Sequence, residues 1–94
     1  MKTLNINKID DHCYEVIISK DVTTRHLIHL NNNSYLKYSN NSITREQLVK
    51  KAFLFLLSKE KNTSILEEFD IEDIENFFPE FSKISEMGWL DIKV

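Results

Sequence analysis

The sequence predicts an α+β domain: a small N-terminal antiparallel sheet of about three strands, packed on a central helix, with short C-terminal helices closing the core. Three observations predict it. Residues 4–30 alternate apolar and polar side chains between polar turns, residues 45–58 place apolar side chains at helical spacing behind a capping sequence, and the stretch after residue 60 carries acidic helix starts punctuated by Pro79 and Gly88. Ninety-four residues make a single domain, 1–94, strand-rich over 1–30 and helical over 44–88. A chain of this size buries about 65% of its extended surface. That is one core, too small for a nucleotide-binding unit with a substrate domain, a barrel or a kinase.

The strands come first. Leu4 and Ile6 alternate with Thr3, Asn5 and Asn7, the period-two pattern of a half-buried strand. Asp10-Asp11-His12 carries turn chemistry, because Asp side chains bond nearby backbone N–H groups. Cys13 to Ser19 is β-branched and aromatic, and Tyr14, Val16 and Ile18 should share one face. Asp21 to Thr24 reads as a second turn, and Arg25 to Leu30 as a third short strand, completing a meander. Residues 31–42, dense in Asn and Ser around Tyr35 to Tyr38, read as a polar connection with one helical turn in its middle.

The helices follow. Thr44-Arg45-Glu46-Gln47 fits a capping box and opens a helix from Arg45 to Ser58. On a helical wheel Leu48, Val49, Ala52, Phe53, Phe55, Leu56 and Leu57 spread over about 200°, roughly double the 100° stripe of a helix covered on one side. Such a helix needs two covering layers: the sheet, and either the C-terminal helices or a second copy of the chain. Ser64-Ile65-Leu66-Glu67 fits a second capping box, predicting a short helix to about Phe69. Asp70 then caps a third helix, Ile71 to Phe78, with Ile71, Ile74, Phe77 and Phe78 as its apolar side. Pro79 ends that helix and suits the first turn of another, Glu80 to Met87, stopped by Gly88. Trp89 to Val94 reads equally as an edge strand or a tail.

Composition narrows the function classes. Hydrophobic residues at 41% and charged residues at 29% are globular values. One cysteine, Cys13, excludes an internal disulfide framework and a four-thiolate zinc site. The N-terminus has no apolar run long enough for a signal peptide and no stretch approaches a membrane span, so a cytoplasmic location is expected. The net charge of −3 divides unevenly: residues 1–59 hold nine Lys or Arg against five Asp or Glu, while residues 60–94 hold three against ten. That asymmetry fits either a basic face for nucleic acid or two halves that attract each other. The abundance of Ile, Asn and Lys fits an AT-rich coding sequence and a bacterial source.

Several constellations invite a chemical reading. His26 and His29 stand three apart in a predicted strand, so their side chains leave on opposite faces and cannot share one metal. His12, Cys13 and one of Asp10 or Asp11 are only sequence neighbours, short of the ligand set a metal needs. Asp70, Glu72, Asp73 and Glu75 lack the turn glycine of a calcium loop and suit a helix N-terminus instead. No glycine-flanked serine exists, and a single glycine builds no phosphate-cradling loop. Catalytic, metal and cofactor residues are therefore expected to be none.

Two binding readings remain. Aromatic residues crowd the C-terminal part, and a small domain cannot easily enclose all of them, so Phe77, Phe78, Phe81 and Trp89 are the candidate partner surface. The expected function is a non-catalytic interaction or regulatory module, with a homodimer as one form of it. The alternative is a nucleic-acid-associated protein using Lys20, Arg25, Lys37, Arg45, Lys50 and Lys51 on phosphates and Tyr14, Tyr35 and Tyr38 on bases. A small enzyme or metal-binding protein ranks last.

Residues 44–81 also carry a recurring string: Thr44, Glu46 and Leu48, then Phe53 with Phe55-Leu56-Leu57, Lys59-Glu60, Ser64-Ile65-Leu66, Phe69-Asp70-Ile71, Ile74, and Phe78-Pro79-Glu80-Phe81. In this stretch the chain resembles a group of small bacterial proteins that share the string and have no established activity. The resemblance implies a shared fold, since most of these residues are core and cap positions. It assigns no functional residue.

Overall fold

The computed structural model of the chain describes residues 4–39 and 43–86. The elements run β1 (Leu4–Asp10), β2 (Cys13–Ser19), β3 (Thr23–His29), α1 (Asn32–Ser39), α2 (Arg45–Lys59), a 3₁₀ turn (Asn62–Ser64), β4 (Glu68–Asp70), α3 (Glu72–Phe77) and α4 (Glu80–Glu86). The fold is α+β, as the alternation of residues 4–30 and the capping box at Thr44 predict. The sheet order is β1-β2-β3-β4.

The first three strands form the expected antiparallel meander. Leu4 pairs with Ile18, Ile6 with Val16, and Val16 in turn with His26. Tyr14, Val16 and Ile18 do share one face and are buried there with His26 and Ile28. The register of β1 shifts between Lys8 and Asp10, which leaves Ile9 as a bulge residue, 55% exposed.

The fourth strand overturns the helix expected from Ser64 to about Phe69. After the 3₁₀ turn the chain extends, and β4 pairs in parallel with β3, Ile28 opposite Phe69. The Leu27 N–H donates to the Glu67 carbonyl at 2.7 Å, and the Ile71 N–H donates to the His29 carbonyl at 3.0 Å. A six-residue helix returns little for its nucleation cost. The edge of β3 offers backbone partners, and the extended path drops Phe69 into the core, its ring 5.8 Å from that of Phe53.

The remaining helices follow the sequence with adjustments. The polar connection holds two turns, α1, instead of one; Asn31 Oδ1 accepts the Ser34 N–H at 2.8 Å, and Tyr38 is fully buried. α2 begins at the expected capping box: the Gln47 N–H donates to Thr44 Oγ1 at 3.1 Å, and the Thr44 N–H donates to Gln47 Oε1 at 2.9 Å. Asp70 does not cap α3; it belongs to β4, and its N–H is taken by the Asp73 carboxylate at 3.1 Å. Met87, Gly88 and the segment from Trp89 to Val94 lie outside the described residues.

α2 is covered on two sides by the chain itself. Leu48, Val49, Ala52, Phe53, Phe55 and Leu56 are buried, and Leu57 is half-buried. Phe53 meets the sheet, its ring 5.7 Å from that of His26. On the opposite side Phe55 meets Phe78 edge-on at 5.8 Å and Phe81 at 5.3 Å. The broad apolar arc is thus satisfied by the sheet below and by the α3–α4 region above, without a second copy of the chain.

Candidate functional site

Four segments converge on one apolar groove. The end of α2 supplies Leu56, with Glu60 just past its last residue, the stretch after the 3₁₀ turn supplies Ile65 and Leu66, β4 supplies Phe69, and α3 supplies Asp73, Ile74 and Phe77, with Phe78 just beyond. The groove encloses about 170 Å³. Its floor is buried core; its mouth holds the side chains of Leu66 and Phe77, 52% and 67% exposed. It exists because β4 is extended: a helix from Ser64 onward would not carry Leu66 and Phe69 along the edge of β3 toward α3.

A buried polar network fixes the lip that Leu66 occupies. His26 lies on the core face of β3, where both of its ring nitrogens find partners. The Leu66 carbonyl can only accept, so Nδ1–H donates to it at 2.7 Å, and Nε2 is hydrogen-bonded to the Thr24 hydroxyl at 2.8 Å. The Asn62 amide, also buried, donates to Thr24 Oγ1 at 3.0 Å and to the Val22 carbonyl at 2.8 Å. His26 is thus a satisfied core histidine that positions a loop.

The groove's charge is one-sided. Its lining includes two carboxylates, Glu60 and Asp73, and no cation. Exposed Glu67 and Glu72 adjoin it in sequence, and neither they nor Glu60 form an ion pair among the described residues. Lys59 is engaged with Glu80 at 2.9 Å, a contact that holds the Glu80 carboxyl below its ordinary range.

The candidate partner residues divide. Phe77 and Phe78 line the groove. Phe81 does not belong to an exposed surface, being wholly buried against Tyr38 and Phe55, so α4 spends its aromatic side chain on the core. Trp89 lies outside the described residues. Phe77 ends α3 two residues before Pro79 and stays exposed, whereas Phe78 packs inward against the core. The helix-start pattern of residues 64–67 hides the groove roles of Ile65, Leu66 and Phe69, because a helix over 64–69 would not set them along a strand edge. The available signal was the alternation Phe69-Asp70-Ile71, which is strand-like.

The candidate nucleic-acid residues are dispersed. Lys20 sits in the β2–β3 turn, Lys37 on α1, and Lys50 and Lys51 on α2. Arg25 pairs with Glu15, which is also bonded by Asn7, and Lys37 holds Glu75 at 3.0 Å. The Arg45 guanidinium lies 4.5 Å from the Tyr35 ring centre and donates to the Leu30 carbonyl at 3.2 Å. Of the expected stacking residues, Tyr14 and Tyr38 are buried core, closed to bases.

The titratable residues weighed for chemistry lie on the sheet. His26 and His29 do point to opposite faces; His29 Nε2 is 2.6 Å from Glu68 Oε2 on the face away from the helices. Cys13 pairs with His29 across the strands. Burial, then Asp10 and Glu68, push its thiol up, so it is held protonated. Among the described residues no group of three or more His, Cys, Asp or Glu is placed to hold a metal ion, and no helix is long and apolar enough to cross a membrane.

No protein-family model, curated protein or solved structure matches the chain.

Proposed function

We propose that the protein is a non-catalytic interaction or regulatory module of the bacterial cytoplasm, and that it seats one large apolar side chain of a protein partner in the groove between α2, β4 and α3. The observation that carries this reading is a 170 Å³ groove with Leu66 and Phe77 exposed at its mouth. Apolar residues scattered singly on a surface need no explanation, but two beside one concavity form a docking point. A cavity of about 150 Å³ admits benzene, so this groove admits a single phenylalanine or leucine side chain.

The magnitudes set the kind of complex. Burying one such side chain contributes about 1.5–3 kcal/mol, against an association cost of about 4 kcal/mol or more. One anchor alone therefore does not outweigh the cost of association, so binding depends on added polar contacts and the complex is weak and fast-exchanging. The raised Cys13 thiol, opposite in direction to nucleophile activation, supports the non-catalytic part of the reading. Nucleic acid gains less support, because Arg25, Lys37 and Arg45 are engaged within the chain and two of the three tyrosines are buried.

The test is a ¹⁵N–¹H NMR titration with N-acetyl-phenylalaninamide as the anchor probe. Shifts confined to Ile65, Leu66, Ile74 and Phe77 are expected. Phe77→Ser should abolish them while leaving the melting temperature nearly unchanged, since that side chain is mostly in water. Shifts scattered over the surface, or none at all, would remove the docking reading.

A further inference from the structure

We propose that the segment docking in this groove is basic: a short protein stretch in which the apolar anchor is flanked by lysine or arginine. The inference rests on the docking reading and adds the partner's charge. Glu60 and Asp73 lie in the lining itself, where an incoming chain must pass them, and no cation shares the groove. From residue 60 to residue 80 the chain has one cation, Lys61, against eight carboxylates. Lys59, which precedes that stretch, is engaged with Glu80.

Charge complementarity decides among occupants. An acidic or phosphate-bearing partner brings like charge against Glu60 and Asp73 while both are losing water, which excludes nucleic acid and an anionic lipid surface from this groove. A second copy docked by two-fold symmetry sets the same carboxylates against each other. A basic segment gains at each flank and loses the repulsion. Its charge also raises the encounter rate, which suits a weak complex that forms and dissociates quickly.

The experiment titrates the full chain with three blocked hexapeptides that share a central Phe-Leu pair and differ only in their flanking residues: lysine, serine or glutamate. Binding is read from the NMR shifts at Leu66 and Phe77. The lysine peptide should bind about fivefold tighter than the serine peptide, with the glutamate peptide weakest, and the preference should shrink to about twofold as salt shortens the Debye length toward 3 Å. The double variant Glu60→Gln with Asp73→Asn should bring the lysine, serine and glutamate peptides to nearly equal affinity, and a retained lysine preference would overturn the inference. The variant's melting temperature is the folding control, and it should stay close to the parent's because asparagine at 73 keeps an oxygen for the Asp70 N–H.

Equal affinity for all three peptides, or a preference for glutamate, would overturn the basic partner while leaving the docking groove standing. Failure of every peptide to shift Leu66 and Phe77 would overturn the groove reading and the inference together. Concentration-dependent shifts at these residues in the free chain, with no peptide effect, would assign the groove to a second copy and overturn the inference.

Discussion

Ser34 Oγ on α1 is buried and, among the described residues, has no hydrogen-bond partner. A buried hydroxyl without a partner costs stability, and alanine is the better helix former. Ser34→Ala should therefore stabilise the domain by about 1 kcal/mol, raising the melting temperature by about 4–8 °C. A lower melting temperature would mean that the hydroxyl is bound after all. The contrast with His26 is instructive at the same scale. That ring is equally buried, yet both nitrogens are satisfied and the side chain fixes the path of a loop forty residues away. Sequence spacing placed His26 and His29 on opposite faces, because strand side chains alternate. It said nothing of Leu66 or Glu68 as their partners, since those contacts join residues far apart in the chain.

At the scale of elements, β4 is the informative one. Its segment carries the local signature of a helix start, and the structure uses it as a strand because the β3 edge and the space beside Phe53 favour the extended path. Asn62 holds the entry to that path, so Asn62→Ala removes two bonds and leaves the Val22 carbonyl without its amide donor. The expected loss is about 1–3 kcal/mol. Amide hydrogen exchange should quicken at Leu27 and Ile71, whose N–H groups bridge β3 to this segment, more than in the β1–β2 ladder. Uniform protection would show that β4 is held by Phe69 packing alone. α2 is the opposite case, because its capping box and apolar periodicity agree with its tertiary setting. Its start was legible to the residue, and its end came within one.

Across the whole molecule the charges set the pH response. Glu75 accepts from the Tyr38 hydroxyl at 2.6 Å and from Lys37 at 3.0 Å, and these bonds hold its carboxyl below the ordinary range. Glu15, Glu80 and Asp11 are lowered in the same direction by Arg25, Lys59 and Lys8. A depressed native carboxyl contributes stability that is full above the unfolded value, about 4.3 for Glu, and lost as pH falls through the native value. Thermal melts should thus hold level from neutral pH to about 5 and then fall. Glu75→Gln should flatten that acid limb and cost about 1 kcal/mol at neutral pH, allowing for solvent screening. At the alkaline end the sign reverses. Burial, then Glu75, push the Tyr38 phenol well above its usual value, so stability falls as pH rises past about 10, where the unfolded phenol ionises. A flat acid limb in the parent chain would contradict both the Tyr38–Glu75 and the Lys37–Glu75 contacts.

What the amino-acid order determined on its own is everything carried by neighbours: the three-stranded meander, the capped central helix, the need for cover on both sides of it, and the acidic character of the C-terminal part. These follow from period, capping chemistry and charge, which act within a few residues. Tertiary structure alone decided which aromatic side chains the core could absorb. Phe81 went in, Phe77 stayed out, and the segment after the 3₁₀ turn extended into β4, leaving a groove between α2, β4 and α3. The reason is volume and backbone pairing: close packing admits a side chain only where its neighbours leave room, and an open strand edge recruits whichever segment can reach it.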